Sequence, residues 1–266
     1  MPQAPVPRAV AGPAPGALDL ALVALQRRYG PEVVRAASRG GEVSGLPTGA
    51  AELDGITGCA GLPRGRISHL SGGPASGAFD LGLALGAAAS RTGLLALVDF
   101  TLRIDPGDLG AYGGDLGNCW VVRPRRSQEG WAAARALARA GVDLCLLVLD
   151  QRALDTTPGS TAALLAALVE GGGAGVVLGG AASPAALRSR ISLELECQRL
   201  GWALAHGDVC GMRLRVRVAR SHLGAPEASC RLQIGFPRPY PPAPSLSAEP
   251  VVDEEPSPLR LAVGSG

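Results

Sequence analysis

The sequence predicts an α/β fold with a mostly parallel central β-sheet flanked by helices and a C-terminal antiparallel extension. Continuous apolar runs of strand length occur at 66–71, 94–99, 143–150 and 174–178, and helical patterns separate them at 78–90, 128–140 and 161–170. Buried strands that alternate with helices are typical of a parallel sheet covered on both faces. The later segments 191–197, 212–219 and 229–234 alternate apolar and polar residues, which favours antiparallel strands. A short strand is expected at 119–122.

Composition divides the chain into four segments. Residues 1–16 are rich in proline and are expected to be disordered. Residues 17–45 are expected to form a helical segment, with a second short helix at 32–38. Residues 46–236 form the core, and residues 237–266 form a Pro-rich acidic tail that is also expected to be disordered. The apolar residues of the first helix recur at helical spacing: Leu18, Leu22, Leu25 and Tyr29.

The overall composition excludes several classes of protein. The net charge is +2, so no global field attracts nucleic acid. Aromatic residues make up 3% of the chain, which predicts no aromatic platform for stacking bases. The six cysteines lack metal-ligand spacing and are typical of reduced thiols. No run approaches the ~18 apolar residues of a membrane span, so we expect a cytoplasmic protein with no membrane contact and no metal.

A glycine-containing segment joins the strand predicted at 66–71 to the helix that follows. It reads Gly72, Gly73, Pro74, Ala75, Ser76, Gly77, Ala78, Phe79. Together with 46–54 and 61–67, this segment resembles the N-terminal half of the RecA recombinase core, whose phosphate loop reads G-x-x-x-x-G-K-[ST]. Matches at 97–106, 143–150 and 213–234 follow in the family's order, so the resemblance spans residues 18–236. It implies a RecA-like core with a C-terminal antiparallel hairpin.

The resemblance also locates family roles that this sequence does not fill. Ala78 stands where a lysine reaches the phosphates, and Phe79 where a hydroxyl holds Mg²⁺. Thr101 takes the place of the catalytic glutamate, and Gly179-Gly180 the place of the γ-phosphate sensors. Asp150 ends the Walker B strand, as a vestige of that motif or as the cap of the next turn. We therefore expect no ATPase activity and no cofactor, with at most weak ATP or anion binding through backbone N–H groups.

Two groups of arginines are candidate contacts for nucleic acid or an acidic partner. Arg188 and Arg190 follow a shortened second DNA loop, and two charges supply little affinity for phosphate. Arg213, Arg215 and Arg217 alternate along a strand and so share one face. That face is a phosphate contact, a contact for an acidic partner, or the solvated face of an edge strand. A solvated surface is the simpler interpretation of the first pair.

One branch of the superfamily is most similar. Residues 120–124, Trp-Val-Val-Arg-Pro, and the compact form without long DNA loops resemble ImuA-type proteins. A tryptophan in a strand is more often part of the core than of an interface. The resemblance implies a non-catalytic adaptor in SOS mutagenesis and translesion synthesis. Its partners would be a Y-family polymerase homologue (ImuB-like) and, indirectly, an error-prone DnaE-type polymerase.

The partner-binding candidates lie at both ends of the chain: Leu18, Leu22, Leu25, Tyr29, Leu259 and Leu261. In recombinases the N-terminal helix joins protomers, so self-association or a RecA contact is a further expectation of the resemblance. The acidic tail is either a solvated segment or a peptide that docks on a partner. Two alternatives to the adaptor stay open: a divergent RecA-family ATPase, and a DNA-binding recombination or repair factor. Any DNA contact is expected to be weak or indirect.

Overall fold

The computed structural model describes residues 20, 23–25, 27–28, 43–150, 153, 158–180, 185–223 and 227–236. Contacts divide the chain into two compact units, residues 1–43 and 44–266. In the first unit residues 20, 23–25 and 27–28 are helical, as the spacing predicted, and Leu20, Val23 and Leu25 are exposed. Leu18, Leu22 and Tyr29, the helix expected at 32–38, and the tail with Leu259 and Leu261 lie outside the described residues.

The second unit alternates strands and helices. A 3₁₀ turn is present at Leu116–Asn118. The elements are β1 (Gly45–Leu46), α1 (Ala51–Ile56), β2 (Leu62–Pro63), β3 (Ile67–Ser71), α2 (Ala78–Thr92), β4 (Leu95–Asp99), α3 (Pro106–Ala111), β5 (Cys119–Val122), α4 (Ser127–Arg139), β6 (Leu144–Val148), α5 (Pro158–Gly171), β7 (Ala174–Leu178), α6 (Ala185–Arg188), β8 (Ile191–Ala205), β9 (Asp208–Ser221) and β10 (Ser229–Gly235).

Eight strands form one sheet in the order β10-β9-β8-β3-β7-β6-β4-β5. The six strands from β8 to β5 are parallel, and β8, β9 and β10 pair antiparallel. The predicted fold class is therefore confirmed. Strands β3, β4, β6 and β7 are buried along their whole length, as expected of parallel strands covered on both faces. β1 and β2 form a separate two-stranded sheet.

Two apolar cores lie on opposite faces of the sheet. One contains leucines of α2 and α3, such as Leu81, Leu85 and Leu109, with one side of the strands. The other contains residues of α4 and α5, such as Trp131 and Leu164. Complete burial of such a side chain contributes about 1.5–3 kcal/mol, so the three-layer packing supplies most of the stability. None of the helices in the described part of the chain is long and apolar enough to cross a membrane.

β8 and β9 are much longer than the sequence predicted. They contain 15 and 14 residues, and they pair with each other as far as the turn that joins them, where Ala205 lies opposite Asp208. Register shifts between Arg199 and Gly201 and between Ala203 and Leu204 interrupt the pairing. A bulge changes which side chains share a face. A further shift lies between Glu194 and Leu195, inside the strand that the sequence predicted. That predicted strand ended at residue 197, and beyond it every residue of β8 except Ala203 is exposed or half-buried.

The parallel strands bring their carboxyl ends to one edge of the sheet. The segment 72–77 follows β3, Thr101 follows β4, Asp150 follows β6 and Gly179-Gly180 follows β7. In open α/β sheets ligands bind at this edge. The fold therefore places four of the sequence-derived positions at one edge of the sheet.

Candidate functional site

The segment from Gly72 to Gly77, here called the loop, has a conformation that packing enforces. Ser76 N donates to Gly73 O at 3.1 Å, and Gly72 N donates to Gly180 O at 3.1 Å. Gly77 has φ +85°, and a Cβ there would lie 2.5 Å from Cδ2 of the buried Leu214. Glycine is needed at Gly77 because of both the left-handed backbone and the close side chain. The loop thus turns sharply into α2.

The first two residues of α2 carry apolar side chains. Ala78 is half-buried, and Phe79 is 38% exposed, so its ring borders the cavity beside the loop. The Ala78 backbone N–H lies 3.4 Å from Ser76 Oγ. Neither side chain can donate a hydrogen bond or carry a positive charge. These two residues therefore offer an anion only their backbone N–H groups.

A carboxylate lies in the first turn of α2. Asp80 borders the cavity and accepts a hydrogen bond from Tyr112 Oη at 3.0 Å. Burial and then the neighbouring Asp80 charge raise the pKa of Tyr112 well above its usual range, so Tyr112 stays a neutral donor. A carboxylate in the first turn interacts favourably with the helix dipole. Asp80 therefore supplies the negative charge that the helix start favours.

The cavity between the loop and the ends of β4, β6 and β7 has a volume of about 670 Å³. Apart from the loop, it is bordered by Thr101, Arg103, Leu149 and Gly179-Gly180. Arg103 is the one cationic side chain in this lining, and sequence reasoning did not single it out. Its position after Thr101, in the turn that follows β4, was the available signal. The site is therefore mostly apolar and backbone-lined.

Thr101 is fixed by the fully buried Asp99. The Thr101 backbone N–H and hydroxyl both donate to Asp99 Oδ1, at 2.9 and 2.7 Å. Ile104 N donates to Asp99 Oδ2 at 2.9 Å. These three bonds hold the turn at the end of β4 in place. The Thr101 hydroxyl proton is already donated to Asp99. A threonine hydroxyl at ordinary pH cannot replace a carboxylate as a general base.

Asp150 caps the turn that follows β6. Its Oδ1 accepts a hydrogen bond from Ala153 N at 2.7 Å. Of the two interpretations left open by the sequence, the capping role is thus the one that has a bond in the structure. Asp150 is also absent from the lining of the cavity beside the loop.

A second cavity, of about 550 Å³, lies on the other side of the loop and is bordered by arginines. Its lining includes Arg199, Arg215 and Arg217 together with Glu196. Arg217 bonds Glu196, which raises the pKa of Arg217, and its Nη1 lies 3.7 Å from Glu227. Arg217 stays protonated, and the carboxylates of Glu196 and Glu227 offset its positive charge. Arg199 and Arg215 contribute most of the unbalanced positive charge of this cavity.

The arginine face belongs to an interior strand and not to an edge strand. β9 lies between β8 and β10, so the interpretation of Arg213, Arg215 and Arg217 as the face of an edge strand was wrong. Strand alternation was correctly predicted, because Arg213 and Arg215 are exposed while Leu214 and Val216 are buried. Arg215 also lies directly opposite Arg231 on β10. Like charges in such a pair destabilise the sheet.

The second arginine pair is exposed at the start of β8. Arg188 ends α6, and Arg190 follows it; both are exposed. The Arg188 carbonyl accepts a hydrogen bond from Arg220 Nη2, which ties α6 to β9. Arg188 and Arg190 do not border either cavity beside the loop.

Two features were missed by sequence reasoning. His69 on β3 is fully buried, and its Nε2 lies 2.8 Å from Gly179 O while its Nδ1 lies 3.5 Å from Glu194 Oε1. A histidine within an apolar run gave no signal of this link. An aromatic cluster also exists: Trp202 packs on Phe236 at 5.9 Å and under the Arg199 guanidinium at 4.1 Å. Because Arg199 covers one face of the Trp202 ring, this cluster leaves the expectation of no base-stacking platform untested.

Together the glycine loop between β3 and α2 and the strand ends around it define a RecA-like P-loop NTPase fold. A model of the RecA N-terminal domain family matches residues 16–161, more than half of the chain. The chain belongs to this family.

Known proteins agree with this assignment. RecA of Aquifex pyrophilus is 28% identical over 246 residues, which cover 79% of this chain and 71% of that relative. RecA of Rubrobacter xylanophilus is 34% identical over 137 residues, 50% of this chain and 40% of that relative. The crystal structure of the RadB recombinase covers 72% of this chain and 96% of its own, with a TM-score of 0.59 and 15% identity. That likeness bears on the fold alone and confirms the RecA-like core.

Proposed function

We propose that this protein is a non-catalytic RecA-like adaptor in DNA-damage-induced (SOS) mutagenesis and translesion synthesis. Its direct partner would be a Y-family polymerase homologue of the ImuB type, and its indirect partner an error-prone DnaE-type polymerase. The observation that carries the non-catalytic part is the start of α2. Ala78 and Phe79 offer no ammonium and no hydroxyl, and the next residue, Asp80, is a carboxylate.

Electrostatics at the loop supports this proposal. Phosphate binding at a helix start relies on N–H groups and on the positive end of the helix dipole. Asp80 lies in the first turn of α2 and already interacts with that dipole, held by Tyr112. A nucleotide would add several negative charges beside this carboxylate, and Arg103 is the one cationic side chain in the cavity lining that could offset them. A Mg²⁺–nucleotide complex does not suit this set of side chains.

Nucleotide titration tests the non-catalytic part. We expect no saturable heat on calorimetric titration with Mg²⁺–ATP. The double variant Ala78→Lys, Phe79→Thr should gain binding, because the loop backbone is otherwise held in place by packing around Gly77. Hydrolysis by the parent chain that is lost in Asp150→Asn would contradict the proposal. Asn is chosen because its side-chain oxygen can still accept the Ala153 N–H bond.

The polymerase partner is supported by the segment that carries the ImuA resemblance. Trp120 was expected in the core but is 59% exposed, on β5 at the end of the sheet. Exposed tryptophans are frequent anchors of protein interfaces. We therefore assign Trp120 as a contact of the polymerase homologue.

Co-purification from DNA-damaged cells tests this partner. Recovery of a Y-family polymerase homologue should fall at least tenfold with Trp120→Ala. It should be unchanged with Val169→Ala, which truncates an equally exposed side chain, 60% against 59%, on α5. Deletion of 1–30 and of 237–266 would then locate any second docking segment. Failure to recover any polymerase would remove the mutagenesis role and leave the fold assignment intact.

Direct DNA binding is a second candidate, favoured by one observation. Arg215 and Arg231 lie opposite each other, and neither forms an ion pair among the described residues. An anion would relieve their repulsion. DNA binding by this face predicts that log K falls with log salt by about 0.7–0.9 for each phosphate neutralised. Affinity that is flat across salt would dismiss it.

A further inference from the structure

The tip of the β8–β9 hairpin, residues 200–210, extends past the other strands; we call it the distal ribbon. β3 pairs with β8 only as far as Glu196, and β10 pairs with β9 only from Gly211. Apart from one bond, from Phe236 N to Cys210 O at 2.8 Å, the strands of the distal ribbon pair only with each other within the described part of the sheet. An isolated two-stranded ribbon is marginally stable in water, so it gains most from an added strand.

The distal ribbon is also unusually apolar for an exposed structure. Leu200, Trp202, Leu204 and Val209 are 41%, 44%, 66% and 49% exposed. The β8 half, 200–205, reads L-G-W-A-L-A and contains no charge and no proline. Natural edge strands are usually protected from pairing by charges or prolines. This edge has neither charges nor prolines between residues 200 and 205, and its protection is limited to the register shifts described above. Its apolar, uncharged surface points to an interface.

The charges that flank the distal ribbon indicate which partner fits. Arg199 precedes its uncharged strand, and Asp208 lies across the turn at the other end, opposite Ala205. Neither takes part in an ion pair among the described residues. A second, antiparallel copy of the strand brings the positive end of one ribbon to the negative end of the other. A parallel copy would bring like charges together.

We propose that the distal ribbon joins two copies of this chain into a two-fold dimer by antiparallel pairing of the two β8 edges. The new backbone hydrogen bonds would convert two ribbons into a four-stranded sheet. Trp202 and Leu204 of each copy would then be covered. Such a patch is at the lower end of specific interfaces, so we expect a Kd of about 10 µM. This proposal is independent of the adaptor role.

Sedimentation velocity on the full chain tests the dimer. Between ~1 and ~100 µM, a range that brackets the expected Kd, the weight-average mass should approach twice the monomer mass. Leu204→Glu should weaken dimerisation at least tenfold, because two carboxylates would be buried in an apolar seam. The control Leu102→Glu, at 65% exposure against 66%, should dimerise like the parent. Leu25→Glu, in the N-terminal helical segment, should do the same.

A second variant covers the case in which Leu204→Glu does not fold, as judged by circular dichroism. Leu200→Glu changes another exposed apolar residue of the same strand and should give the same loss. A chain that stays monomeric up to ~100 µM overturns the proposal. So does a dimer that resists both ribbon variants, or one that Leu25→Glu alone dissociates, since the copies would then meet elsewhere.

Discussion

The Gly77→Ala substitution offers a sharp test of how packing fixes the loop. Gly77 has φ +85°, a conformation that costs a residue with a Cβ about 1–2 kcal/mol. The added carbon would also lie 2.5 Å from Leu214 Cδ2 and 2.7 Å from Met212 Sδ. Both side chains are buried, so relief of this overlap requires core movement, which costs about 1–3 kcal/mol. Restriction of the unfolded chain returns about 0.4–1 kcal/mol. We expect a net loss of about 2–4 kcal/mol.

Gly73→Ala is the matched control, because a Cβ added at this exposed residue would meet nothing within 4 Å. We expect it to fall within about 0.5 kcal/mol of the parent, as surface substitutions usually do. Urea unfolding of both variants measures the difference. With a slope of about 3 kcal/mol/M, the Gly77→Ala midpoint should drop by roughly 1 M. Equal midpoints for the two variants would refute the steric argument.

Three further predictions rest on single contacts. Asp99→Ala should cost about 3 kcal/mol in urea unfolding, because it leaves the buried backbone N–H groups it accepts from without a partner. Arg139→Ala should change the free energy of unfolding by less than about 1 kcal/mol, since its ion pair is exposed to solvent. Burial raises the pKa of Cys145 from 9.0 to about 12, so a thiol reagent at pH 9 should label Cys210 and spare Cys145 in the folded chain. Stability should also fall as pH rises from about 9 toward 12, because the unfolded chain releases the Cys145 proton first.

The elements that sequence reasoning located best are those with one dominant signal. β5 and β7 begin and end where the apolar runs do, and β3, β4 and β6 differ from the expectation by no more than two residues at either end. β3, β4, β6 and β7 are buried on both faces, which favours an uninterrupted run of mostly apolar residues. The distal half of β8 was not predicted as a strand. Its bulges and its exposure to solvent remove the need for the alternation of apolar and polar residues that marks a half-buried strand.

The residues of the site that lie at strand ends could be predicted from the sequence. The contacts between residues far apart in the chain could not. The glycine loop, Thr101 and Asp150 lie at strand ends, and parallel strands bring those ends together. Sequence spacing cannot reveal that His69 contacts Gly179, 110 residues later, or that Tyr112 contacts Asp80. The exposure of Trp120 was likewise decided by strand order. Trp120 lies on the end strand of the sheet and is 59% exposed.

The contrast between Gly77 and its neighbours explains how a loop can keep its shape while its chemistry changes. Gly77 is constrained by Leu214 and Met212, which belong to the apolar core, so its replacement destabilises the whole domain. The side chains of Ala78 and Phe79 lie at the cavity beside the loop, where no comparable packing restricts them. The stability of the fold therefore constrains which residue can stand at 77. Only a requirement for nucleotide binding or hydrolysis would constrain the side chains at 78 and 79. If the chain is non-catalytic, as proposed above, packing would still require Gly77 but would not restrict the side chains at 78 and 79.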